Sequence, residues 1–216
     1  MPHQPDFRIA KIICRYKNTV TEVQAVKENL TKKTLALPTP VVVIATYDAE
    51  GKPNAMTAAW AGICCSRPLC VSVSLRKATY TYGSLVENKA FTMNVPGKNH
   101  VCETDYFGIA SGKNEDKFAK AGLTPVKSEF VNAPYIEEFA VNIECKVINI
   151  LDLGLHTQFI GEVVNVKMDS ELLENGEPPS LVRIMPIIFS PGGEYFTLGE
   201  EVGKPFSTGR NLSGKE

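Results

Sequence analysis

The segment Ser74-Leu75-Arg76-Lys77-Ala78-Thr79-Tyr80-Thr81 holds the densest chemistry in the chain. Its first half alternates like a strand and its second half opens a run of helix formers, so it reads as a strand-to-helix junction. A helix N-terminus presents free backbone N–H groups and a partial positive charge, which suits a phosphate. Arg76 and Lys77 would add full charges, and Thr79 and Thr81 hydroxyl donors. Together they make a phosphate cradle without a glycine-rich loop. The competing reading is an ordinary N-cap at Thr79 beside two solvated basic residues.

A second segment, Asn54-Ala55-Met56-Thr57-Ala58-Ala59-Trp60, is rich in small residues. Such a strand lets backbone amides approach a flat ring, and Thr57 could bond a ring heteroatom. On its own it is an Ala-rich strand with a core face. His156 follows Gly154 in a turn before a strand, either as an exposed side chain or as a donor facing a reaction site. There is no HExxH, CxxC, GxSxG or Walker sequence, so hydrolase, zinc-enzyme and P-loop readings lack a starting residue. Six cysteines stand at positions 14, 64, 65, 70, 102 and 145. Cys64, Cys65, Cys70 and Cys145 lie in apolar, strand-like surroundings and read as buried reduced thiols. The neighbours Cys64 and Cys65 should point to opposite sheet faces, which argues against a joint site.

The elements that must position these groups are mostly strands. Residues 41–47 form a β-branched run, and 48–53 a turn that sends 54–60 back as a hairpin partner. Residues 69–75 alternate with the period of a strand with one face buried. A helix over 80–89 leads to a strand over 90–95, then short helices over 101–107 and 115–121. Long strands over 140–150 and 157–167 follow, with strands over 185–189 and 194–198 near the end. Tight connections predict a largely antiparallel sheet, closed as a barrel or packed as a sandwich. Residues 1–33 are polar and basic and read as an N-terminal extension, partly helical over 21–30.

With 216 residues, 44% hydrophobic and 22% charged, the chain suits one globular domain after that extension. Its net charge is −1 with scattered basic residues, which excludes the electrostatic footprint of a nucleic-acid binder. The longest apolar run falls far short of the roughly 18 residues of a membrane span. Met1-Pro2-His3-Gln4 lacks the apolar stretch of a signal peptide. A soluble, cytoplasmic protein without a membrane anchor is expected.

Several of these segments, in this order, resemble the flavin reductase-like family: residues 40–46, 54–60, Pro68 before a Val-rich strand, 76–81, 91–96 and Gly161-Glu162-Val163. Residues 153–159 and 106–108 are similar to its flavoredoxin group, and the likeness covers roughly 34–212. The resemblance implies a mainly β fold, the FMN-binding split barrel: an antiparallel Greek-key barrel with flanking short helices. It further implies a homodimer that moves electrons through bound FMN. Carried over by position, Thr57, Ala58, Ala59 and Trp60, with Asn54 and Met56 on the same strand, would face the ring chiefly through main chain. Arg76, Lys77, Thr79 and Thr81, flanked by Ser74 and Tyr80, would hold the phosphate, with Asn94 and Ser111 as further candidates. His156 matches a position where many flavin reductases carry Gly-Asp-His near the nicotinamide; here Leu155 replaces the Asp, which puts direct NAD(P)H use in question. A reductase using NAD(P)H, an FMN carrier between redox proteins, and a flavin-free binding module remain open.

Overall fold

The computed structural model describes residues 11–16, 19–24, 27, 29 and 37–212. The chain divides into two compact units, residues 1–35 and 36–216. In the first, β1 (Lys11–Tyr16) and β2 (Thr19–Gln24) pair antiparallel, from Lys11 opposite Gln24 to Tyr16 opposite Thr19. The helix expected over 21–30 is therefore overturned for 21–24. Thr19, Val20, Thr21 and Val23 are β-branched, and that preference prevails once a partner strand is present. Most of 25–30 lies outside the described residues.

In the second unit, β3 (Thr39–Pro40) precedes the hairpin of β4 (Val42–Tyr47) and β5 (Pro53–Ala58). Next come β6 (Ala61–Ser66), β7 (Leu69–Arg76), helix α1 (Tyr80–Asn88) and β8 (Ala90–Val95). Helices α2 (Val101–Ile109) and α3 (Lys117–Ala121) lead to the short pair β9 (Pro125–Lys127) and β10 (Pro134–Ile136). The long hairpin of β11 (Val141–Asp152) and β12 (His156–Met168) follows. Helix α4 (Leu181–Ile184), β13 (Ile188–Ser190) and β14 (Glu194–Phe196) complete the unit. Met185 closes α4 in the left-handed region at φ 48°, so the strand expected from 185 begins at 188.

Seven strands form one antiparallel sheet in the order β5-β4-β8-β11-β12-β7-β6. Its two outermost strands, β5 and β6, are consecutive in the chain and separated by Ala59 and Trp60 alone. The sheet must curl to bring both edges to that corner, where the Ser74 amide donates to the Trp60 carbonyl at 2.8 Å. This is the mainly β split barrel with flanking short helices.

Two large apolar clusters hold the sheet, with a smaller third around Ala90, Val131 and Ala133. Inside it, Ile44, Val73, Leu75, Phe91, Cys145 and Phe159 pack with Leu85 of α1. Outside it, Val43, Ala45 and Ala55 pack against Phe107 of α2, Phe118 of α3, Ile136 and Phe139. Residues of β4 thus feed both clusters, which is why that run is apolar on both faces. Gly161 on β12 is required by close approach: a Cβ there would lie 2.6 Å from the Phe91 ring and 2.9 Å from the Cys145 Cβ.

Cys70 and Cys145 are buried, but Cys64 and Cys65 are exposed, which corrects the expectation for those two. They sit on β6, an edge strand of the sheet, so an apolar strand composition did not bring them inside.

Candidate functional site at the strand-to-helix junction

The junction forms as its residue types require. Strand β7 ends at Arg76 and α1 begins at Tyr80, with Thr79 at the N-cap in extended backbone. The Thr79 hydroxyl does not cap the helix. Both it and the Thr79 amide donate back to the Arg76 carbonyl, at 2.9 and 3.0 Å. No acidic residue lies in the first turn of α1, so its leading amides keep their partial positive charge without a side-chain partner. A capping threonine, the alternative at this site, is therefore not what the geometry contains.

A cleft of about 500 Å³ opens beside this terminus, lined by Asp48, Lys77, Thr79, Tyr80, Tyr82, Ser111 and Lys113, with Glu50 and Glu87 on its wall. Asp48 is committed locally: it accepts from the Glu50 and Lys52 amides at 3.1 and 2.8 Å and from the Tyr80 hydroxyl at 3.1 Å. Burial, and then Asp48, push the Tyr80 hydroxyl above its ordinary pKa. The Lys77 ammonium pairs with Asp152 at 2.5 Å. That bond raises the Lys77 pKa and lowers that of Asp152, which also accepts from the Gly154 amide.

Asn54 ties the second predicted segment to the first. It is buried, and its side-chain amide donates to the Thr81 hydroxyl at 2.8 Å. Its carbonyl oxygen is buried without a hydrogen-bond partner. Gly112 lies against that oxygen so closely that a Cβ on Gly112 would stand 2.0 Å from it and 3.0 Å from the Tyr80 ring. With the Trp60–Ser74 bond at the other end, the strand 54–60 is pinned alongside the junction at both of its ends.

Along that strand the side chains divide. Ala58 is buried and Met56 half-buried against the inner cluster. The Thr57 hydroxyl donates to the Thr104 carbonyl of α2, and Gly108 lies 3.5 Å from its Cβ if given one itself. That donor is spent inside the protein, on α2, and so is not the expected free donor to a ring heteroatom. Ala59 is half-buried, and Trp60 is exposed with its ring 6.5 Å from that of Phe189.

His156, half-buried, opens β12 directly opposite Arg76 on β7, and Gln158 stands opposite Ser74. Leu75 and Thr157, the residues between, are buried, so the four polar side chains share the outward face of the two strands. Asn94 is elsewhere. Fully buried in β8, it donates to the Val43 carbonyl and the Thr92 hydroxyl and accepts from the Ile136 amide. Ser111 lines the cleft, its hydroxyl accepting from the Lys113 amide.

Residues that the sequence did not single out are Asp48, Lys113, Asp152 and Gly112. Gly112, between the two short helices, carries by type only the signal of a helix break. The others are charged residues at strand ends and in loops, indistinguishable by type from solvated ones.

Residues 34–196 match the flavin reductase like domain. The chain belongs to this family. Among solved structures, this flavin reductase-like chain is similar to the flavoredoxin of Desulfovibrio vulgaris (Miyazaki F): 50% identity, TM-score 0.81, 85% of this chain and 100% of that one covered. A flavoredoxin from Methanosarcina acetivorans is 29% identical with TM-score 0.80, over 87% and 100% of the two chains. Among curated relatives, a ferric-chelate reductase (NAD(P)H) of Archaeoglobus fulgidus is 28% identical over 135 residues, 62% of this chain and 76% of that protein.

Proposed function

We propose that this flavin reductase-like protein binds FMN at the junction of β7 and α1 and works as an oxidoreductase that passes electrons through it. The observation that carries the reading is the open N-terminus of α1, where Thr79 turns its hydroxyl away from the helix and leaves the first amides free beside the cleft. Those amides suit a phosphate dianion; Lys77 and Lys113 line the same opening and add charge, and Arg76 ends the strand that leads into it. The unpartnered Asn54 carbonyl oxygen fits a hydroxyl of a ribityl chain. These residues fit FMN.

When bound, FMN supplies the redox chemistry itself. The protein's share is to hold the phosphate, to lay a flat ring along the main chain of residues 57–60, and to keep the inner cluster dry beneath. His156, opposite Arg76, is the candidate donor facing whatever delivers or receives electrons. The family and its similar flavoredoxins support this reading. A homodimer belongs to it: the β11–β12 hairpin tip exposes Ile148, Ile150, Leu151, Leu153 and Leu155, apolar surface that a second copy would cover. Among the described residues no helix is long and apolar enough to cross a membrane, and the reading keeps the protein in the cytoplasm.

A second reading is an electron carrier that does not meet NAD(P)H. It is favoured by Leu155, exposed immediately before His156 where an Asp would accompany nicotinamide use. The absorption spectrum of the purified protein tests the first claim: yellow protein with stoichiometric FMN is expected, and colourless protein that fails to take up added FMN overturns it. NADH and NADPH then separate the readings. Bleaching by either supports a reductase. Bleaching by dithionite or a reduced redox protein but by neither nicotinamide supports the carrier.

A further inference from the structure

Cys65 and Cys70 are direct partners across the β6–β7 hairpin, placed opposite each other in register. Opposed residues on an antiparallel pair put both side chains on one face, with Cβ atoms about 4.5–5.5 Å apart. A disulfide needs Cα atoms about 4.4–6.8 Å apart and Cβ atoms about 3.5–4.5 Å apart, so a small closure of the hairpin suffices. The register slips between Ile63 and Cys65, and a β-bulge at that point supplies local adjustability at the strand edge. The adjacent Cys64 falls on that slip and has no register partner.

The two thiols differ in access. Cys65 is exposed, whereas Cys70 is 2% exposed in the inner wall of the sheet. The Cys65 thiol donates to the Arg67 carbonyl at 3.4 Å, which holds it over its own hairpin. Burial, followed by the neighbouring Cys65 and Cys64, raises the Cys70 pKa, so Cys65 is the thiol that meets reagents first. Cys145 lies deeper, its thiol pushed up to about 12 chiefly by burial, and its register partners are Val163 and Phe91 rather than a cysteine.

We infer that Cys65 and Cys70 form a reversible, peroxide-sensitive dithiol, with Cys65 as the attacking thiol and Cys70 as the resolving one. The Cys65 thiolate attacks the O–O bond of hydrogen peroxide, giving a sulfenic acid and one hydroxide, protonated to water. The Cys70 sulfur then attacks the Cys65 sulfur, the S–O bond breaks, and a second water leaves. Two thiols and one peroxide thus become one disulfide and two waters, and an added dithiol returns the pair to its reduced state. The link would tie β6 to β7 at the turn end of their hairpin, away from the Trp60 corner, without requiring any bound flavin.

The test uses the full-length protein, reduced, freed of reductant, and exposed to hydrogen peroxide near stoichiometry. Chymotryptic cleavage after Leu69 separates Cys65 from Cys70, so the link appears as two joined peptides that part on reduction. The joined pair is expected in the native protein and in Cys64→Ser, and lost in Cys65→Ser and Cys70→Ser. In Cys70→Ser the stalled sulfenic acid on Cys65 should be trapped by dimedone, and this arm reads the chemistry even if the link is slow. A joined pair through Cys64 instead, a link formed only in denaturant, or irreversible oxidation of Cys65 with no joined peptide would overturn the inference. Because nothing is read from flavin, the outcome is independent of whether FMN binds.

Discussion

His156 and Arg76 begin and end their strands as direct partners, a neutral-capable ring beside a permanent cation on one outward face of the sheet. The pairing sets the candidate donor beside the charge we propose for the phosphate, and substitution of each in turn separates their roles.

Replacing Arg76 by Ala removes a charge-assisted contact worth about 1.5–3 kcal/mol, so FMN affinity should fall about ten- to a hundredfold. Replacing His156 by Ala should leave FMN affinity within a few-fold and slow electron delivery instead. Flavin titration for the first and stopped-flow bleaching for the second check the division. Unchanged affinity in Arg76→Ala would put the phosphate elsewhere.

Gly112→Ala is expected to damage the cleft from behind. Its Cβ would meet the Asn54 carbonyl oxygen at 2.0 Å, and Asn54 is held in place by Thr81. Overpacking of this kind costs about 1–3 kcal/mol. The variant should lose FMN affinity together with stability, whereas Gly199→Ala, exposed, outside the cleft and with nothing within 4 Å of an added Cβ, should change neither; flavin titration and thermal unfolding of both variants decide it.

Gly161→Ala tests the core alone. The added methyl would press on the Phe91 ring at 2.6 Å, and a destabilisation of about 1–3 kcal/mol or more is expected by urea unfolding. A variant as stable as the parent would mean that Phe91 can leave its place at no cost.

Lys117 gives the chain a pH dependence of known sign. It is 4% exposed, and its ammonium donates to the Phe107 and Ala110 carbonyls at the end of α2, at 3.2 Å each. Burial lowers its pKa from 10.5 to about 8, against a smaller opposing pull from Glu115. Below pH 8 both folded and unfolded chains carry the proton, and the folded state bears the full cost of the buried charge. Between about 8 and 10.5 the unfolded chain holds a proton that the folded one has released, so stability should rise with pH, by about 3 kcal/mol across the window. Lys117→Met should lack this rise. Denaturant unfolding at several pH values checks it, and parallel slopes in the two proteins would sink the assignment.

The junction was legible because its residue types repeat one message: an alternating strand, two cations, then hydroxyls at a helix start. The same residues could not reveal that Thr79 bonds backwards to Arg76, since N-cap and ST-turn geometries draw on identical residues. Asn94 misled for a related reason. An amide beside a strand end suits a ligand or a buried network equally well, and only the positions of Val43 and Ile136 decide between them. Cys65 illustrates a third gap: composition marks a strand as apolar but does not say whether it lies at the middle or the edge of a sheet.

The link of Ala59 and Trp60 has a consequence for the whole barrel. Two residues can span at most about 11 Å between the strands they join, so the rims of β5 and β6 are tethered at that end and free to diverge only away from it. Any separation of the two strands is smallest beside Trp60 and can only grow away from it. Lengthening that two-residue link should therefore loosen the register between β6 and the junction strand β7 at the Trp60–Ser74 bond before it disturbs the far ends of either hairpin.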